Sequence, residues 1–164
     1  MAKKLLEDNN VMEAPIPVKK IAEKLGVTIR YSPFDGELAG MLVRDENQSS
    51  VIGVNSLHHI NRQRFMIAHE IGHLLLHKGS LHIDKSFRVN LRDGESSKAR
   101  NPKEIEANRF AAELLMPYEM IRSDLTNREI DIEDEDQLKE LANSYQVSVQ
   151  ALTHRISYLL RDVS

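Results

Sequence analysis

The 164-residue chain contains no cysteine. That absence excludes disulfides and any metal site built on thiolates, and it fits a reducing compartment. Long apolar runs are missing as well. Lys3 and Lys4 are followed only by Leu5 and Leu6 before charge returns. No secretory core follows, and no run approaches the roughly 20 apolar residues of a membrane-spanning helix. These absences predict a cytoplasmic protein with no membrane partner. Positive charge is not in excess either: 22 Lys and Arg stand against 25 Asp and Glu, a formal net charge of −3. This argues against bulk, nonspecific binding to nucleic acid, though not against a local basic face. Repeats and low-complexity tracts are absent. What remains is 41% apolar and 29% charged, the composition of a globular chain long enough to bury a core without staples.

The pattern along the chain predicts an α+β fold. In "PVKKIAEKLG", Val18, Ile21, Ala22 and Leu25 recur at helical spacing, with Pro17 at the start and Gly26 as a stop. "VTIRY" alternates as a strand, and "AGMLVR" and "SVIGVN", split by the turn-like "DENQSS", read as a hairpin. Together they give a small, roughly three-stranded sheet. Helical periodicity runs from Ile60 to about His77, with Phe65, Ala68, Gly72 and Leu75 or Leu76 on an apolar face and Gly79 as the stop. Residues 80 to 101 are polar and read as irregular. "NPKEIEANRFAAELLMP" is a strong helix, with Asn101 as N-cap, Pro102 at its first position and Pro117 ending it.

"YEMIRSDL" reads as a short helix, and two more close the chain. "DEDQLKELANSY" opens in an acidic run suited to the positive end of a helix dipole. "SVQALTHRISYLL" has Ser148 as N-cap and Val149, Leu152, Ile156 and Leu159 as its stripe. The expected organisation is a main domain over residues 1–125 and a helical subdomain over 126–164 packed on it.

Within the central helix, His69-Glu70-Ile71-Gly72-His73 spells H-E-x-x-H. Residues four apart stand one turn up the same helix face, so both imidazoles reach one ion. Glu70 is about 100° round the helix from His69, where a carboxylate meets a metal-bound water rather than the metal. Nitrogen and oxygen ligands with one position left for water suit Zn2+. The plain alternative is a helix with two solvated histidines. Against it stand the flanking Ile67, Ala68, Ile71, Leu74 and Leu75, and a source of a third ligand downstream. Without cysteine that ligand is a carboxylate or another histidine. The helix after Asn101 offers Glu104, Glu106 and Glu113. Glu104 shares a face with Ala107, Asn108, Ala111 and Leu115, whereas Glu106 sides with Arg109 and Glu113, a solvated face. Glu104 is therefore the expected ligand; its plain reading is a capping box with Asn101. Asn108, one turn on, is placed either to accept the other ring N–H of a ligating histidine or simply to pack.

"RQRFMIAHEIGHLLLH" joined to "EIEANRFAAELLMP" resembles the ImmA/IrrE family of zinc metallopeptidases, whose site is gluzincin-like. The resemblance covers roughly residues 15 to 120 and takes in "PVKKIAEKLGVTI" and the "GVN" before the central helix. It implies a small sheet packed on the active-site helix and zinc held at the positions of His69, His73 and Glu104. It also implies a protein substrate, a helix-turn-helix repressor whose cleavage relieves repression in a stress response or in mobile-element induction.

Three features remain. His77 completes the row 69-73-77 but lies about 6 Å further along the axis, too far for a fourth ligand; it reads as a substrate-binding group or as a cation at the helix C-terminus. Residues 78 to 103 carry seven Lys and Arg against three acids, either a substrate-facing flap or a solvated loop. The tail "LKELANSYQVSVQALTHRI" resembles a helix-turn-helix, yet Arg155 and Arg161 are its only strong cations over the second helix, which argues against direct DNA binding.

The expected function is a zinc-dependent endopeptidase with Glu70 as general base. Its rival is a non-catalytic, zinc-containing antirepressor or DNA-binding regulator. An extended substrate is expected to add as a strand beside "AGMLVR" or "SVIGVN".

Overall fold

The computed structural model describes residues 1–34, 38–44, 50–77, 81–84 and 101–161, the stretch 81–84 by its backbone. The fold is α+β, as its patterns predict. Helix α1 (Ala2–Asp8), which the sequence reading did not anticipate, buries Ala2, Leu5 and Leu6. Helix α2 (Val18–Lys24) buries Val18, Ile21 and Ala22 and is followed by Gly26 at φ 76°, the left-handed backbone that favours glycine.

Strands β1 (Val27–Ser32), β2 (Gly40–Arg44), β3 (Ser50–Asn55) and β4 (Leu81–Asp84) form one sheet in the order β1-β3-β2-β4. β2 and β3 pair antiparallel, as the hairpin reading requires, and β1 joins β3 in parallel. The fourth strand lies in a stretch expected to be irregular. It pairs antiparallel with β2, Val43 opposite Leu81 and Gly40 opposite Asp84. This corrects the expected edge: "AGMLVR" and "SVIGVN" are both interior, and among the described residues the sheet ends at β1 and β4. The turn within "DENQSS", the stop at Gly79 and most of the basic stretch 78–103 lie outside the described residues.

Helix α3 (Ile60–Leu76) contacts β2 and β3 on one side and helix α4 (Pro102–Leu115) on the other. Met66 through His73 are consequently all buried, rather than one face of the helix. Helices α5 (Tyr118–Asn127), α6 (Glu135–Tyr145) and α7 (Val149–Arg161) complete the chain. The acidic run caps α6: the Asp134 carboxylate accepts the N–H groups of Asp136 and Gln137. One apolar cluster runs from Ala2 to Ile156 and includes residues of every helix. Among the described residues no helix is long and apolar enough to cross a membrane.

Candidate metal centre

Two helices build the site. α3 supplies His69, Glu70 and His73 from consecutive turns, all 0–1% exposed. α4 brings Glu104 from its first turn. The Asn101 side chain accepts from the Lys103 N–H at 3.1 Å, so the cap is Asn101 itself. The Glu104 carboxylate reaches away from the cap, with Oε2 3.3 Å from His69 Nε2 and Oε1 3.4 Å from His73 Nε2. The two Nε2 atoms are 3.0 Å apart.

Close approach of the helices makes this reach attainable. A β-carbon on Gly72 would lie 3.2 Å from the Ala107 Cα, 3.3 Å from its carbonyl oxygen and 3.1 Å from the Phe110 ring. The glycine inside H-E-x-x-H is thus where α4 seats on α3. Beneath, Glu70 Oε1 lies 3.6 Å from the position of a β-carbon on Gly40, so its carboxylate faces β2.

Asn108 Oδ1 is 2.9 Å from His69 Nδ1. An amide oxygen only accepts, so Nδ1 carries the proton and Nε2 turns a lone pair into the site. At His73, burial pulls the imidazole below its ordinary value, opposed by the Glu104 hydrogen bond. For Glu104, burial works to raise the carboxyl, but the adjoining His69 and His73 imidazoles outweigh it and hold the group well below the usual carboxylate range. Neutral imidazole and ionised carboxylate are the forms that bind a cation.

The donor set fits a metal. His69, His73 and Glu104 each present one coordinating atom to a common point. Ligands about 2.0–2.1 Å from a tetrahedral zinc lie about 3.3 Å from each other, close to the separations of 3.0, 3.3 and 3.4 Å. Nitrogen and oxygen donors without thiolate also suit zinc among divalent metals.

The remaining expected residues are placed otherwise. His77 stands outside the cluster: its Nε2 is 3.0 Å from the Lys103 carbonyl oxygen. Glu106 is 63% exposed. Sequence reasoning missed two supports. An Arg44 guanidinium N–H donates to the His73 carbonyl, closing the last turn of α3 from the end of β2; a lone arginine at a strand end carries no sequence signal for this. Asn55, the asparagine of "GVN", is buried and donates to the Phe34 and Leu38 carbonyls, at 3.2 and 2.9 Å, while its Oδ1 accepts the Leu57 N–H. It ties the β1–β2 connection to the turn that enters α3, and an asparagine ending an apolar strand was the available hint.

Comparisons with known proteins extend this picture. No curated protein matches the chain significantly. A solved structure of a Mycobacterium tuberculosis transcriptional regulator matches with a TM-score of 0.60 at 16% identity, over 95% of this chain and 44% of that one. That likeness is one of fold, and this chain spans less than half of the regulator's length. The model of a peptidase family, described as the IrrE N-terminal-like domain, matches residues 22–157. The matched span contains the sheet, both helices of the histidine–glutamate cluster and most of the C-terminal pair, and on that breadth the chain belongs to the IrrE N-terminal-like family, peptidases of the ImmA/IrrE type.

Proposed function

We propose that the protein is a zinc-dependent endopeptidase acting on one specific protein, a helix-turn-helix transcriptional repressor, in the cytoplasm. The carrying observation is the convergence of His69 Nε2, His73 Nε2 and the Glu104 carboxylate on one point. These three would hold the zinc. When bound, the metal acidifies water toward neutrality and polarises the scissile carbonyl. Glu70, buried beside the ligands, takes the proton of the attacking water and delivers it to the leaving amine. Asn108 keeps His69 in the tautomer that coordinates. An extended substrate pairs with the outer edge of β4, the strand that follows the ligand helix. Residues 1–125 form the peptidase part and 126–164 the helical subdomain, a surface for repressor recognition. The family supports peptidase chemistry, and the fold shared with a transcriptional regulator supports a role in gene control.

The test is incubation of the purified protein with helix-turn-helix repressors from the same genome, with and without chelator. Cleavage that stops with the chelator and with Glu70→Gln supports the reading. Release of repression by Glu70→Gln as effective as by the parent would favour the antirepressor role.

A further inference from the structure

We infer that His77 is a positioning residue: it latches the start of α4 to the end of α3 and thereby holds Glu104 at the metal. The inference rests on the zinc reading above. In sequence, His77 continues the row of His69 and His73, but the helix ends at Leu76. His77 takes extended backbone angles, φ −124° and ψ 143°. Its ring therefore leaves the row, tilted by 53° from that of His73 with centroids 5.1 Å apart, and turns to α4. Its Nε2 lies 3.0 Å from the Lys103 carbonyl oxygen. A carbonyl only accepts, so His77 donates from Nε2, and that nitrogen is engaged away from the metal. Nδ1 faces the Glu106 carboxylate at 3.8 Å.

The contact falls one residue before Glu104. A first helical turn has few internal hydrogen bonds and frays readily. Glu104 sits in such a turn, yet must keep its oxygens within 3.3 and 3.4 Å of two histidines on another helix. Two tethers bracket it. Asn108 fastens α4 to His69 one turn beyond, and His77 fastens Lys103 just before. One reaches α3 and the other the residue that caps it, so the segment that carries the histidines also fixes the glutamate. Losing the His77 tether leaves the ligands in place but frees the turn carrying one of them. Outer contacts of this kind typically change metal affinity by about 10–100-fold.

The test is cobalt(II) titration of the full chain, read by its visible absorption, for the parent, His77→Ala, His77→Gln, and Glu104→Ala. His77→Ala should bind about tenfold more weakly. His77→Gln, whose amide can still donate to the carbonyl, should recover most of the loss. The saturated spectra of both should match the parent, because the ligands are unchanged. Should His77→Ala not fold, His77→Leu keeps the bulk against His73 without the donor and carries the same comparison. Parental affinity in the donor-less variant, beside a Glu104→Ala that has lost the metal, would overturn the latch alone. A changed spectrum at saturation, or equal losses in the alanine and glutamine variants, would overturn it in favour of direct ligation by His77. Cobalt retained by Glu104→Ala would remove the zinc reading, and the latch with it.

Discussion

The α3–α4 pair and the α6–α7 pair both bury polar side chains, and they do so in opposite ways. In the C-terminal pair each buried polar group is closed by its complement. The Tyr145 hydroxyl donates to Asp124 Oδ2 at 2.6 Å, and Arg155 Nε donates to the Met116 carbonyl at 3.0 Å. Both bonds bind the pair to the rest of the molecule, and nothing converges. Between α3 and α4, three coordinating atoms meet within 3.0 to 3.4 Å. Gathering like-natured atoms at one point, two of them on buried imidazoles, costs stability unless a cation is shared among them. Closed polar pairs mark architecture, and a convergent set marks chemistry.

The largest expected effect is at Glu70. Glu70→Gln should lower cleavage by about 10²–10⁴-fold with metal content and partner affinity kept; single-turnover cleavage and pull-down of the partner read the two separately. His69→Ala should lose metal and cleavage together. Zinc itself should then divide the molecule. Supplied at about 100 times its Kd it adds about 2.7 kcal/mol to stability. Hydrogen exchange should slow chiefly at residues 69–73 and 102–108 and little in α6–α7; uniform protection would dissolve the distinction.

A smaller effect tests the seat of α4. Gly72→Ala meets backbone of Ala107, so the helices must part, at a cost of about 1–3 kcal/mol, with weaker metal binding as Glu104 withdraws. Gly53→Ala, whose β-carbon would first meet the Met41 and Phe34 side chains rather than backbone, should cost less and spare the metal. Thermal melts with and without zinc compare the two.

The smallest effect belongs to the architectural pair. Tyr145→Phe should cost about 1 kcal/mol and leave zinc affinity unchanged. Burial first, and then the bond to Asp124, pushes the Tyr145 hydroxyl above its ordinary value. A raised folded value means that its contribution is complete below a pH of about 10. It is lost as pH rises through that raised value. Melts at alkaline pH should therefore bring parent and variant together.

What the sequence made legible follows from which distances are local. His69 and His73 were readable because four-residue spacing fixes their common side of a helix, and Glu70 because its place beside His69 sets it about 100° round. Glu104 was separable from Glu106 because periodicity assigns faces. β4 was not readable: "LHID" is four residues whose pairing with β2 is decided across the sheet. For the same reason the hairpin was legible but not that β3 is central, and so the open edge was misplaced. Gly72 was visible as a glycine, but not the Ala107 backbone it admits. The turn of His77 toward Lys103 depends on the helix ending at Leu76, earlier than a stop at Gly79 implies.

In the proposed site α4 supplies the third ligand, Glu104. Elemental analysis of Glu104→Ala and Glu106→Ala, purified in parallel with the parent, decides this. One zinc per chain is expected in the parent and in Glu106→Ala, and almost none in Glu104→Ala. Metal retained by Glu104→Ala and lost by Glu106→Ala would remove Glu104 from the site.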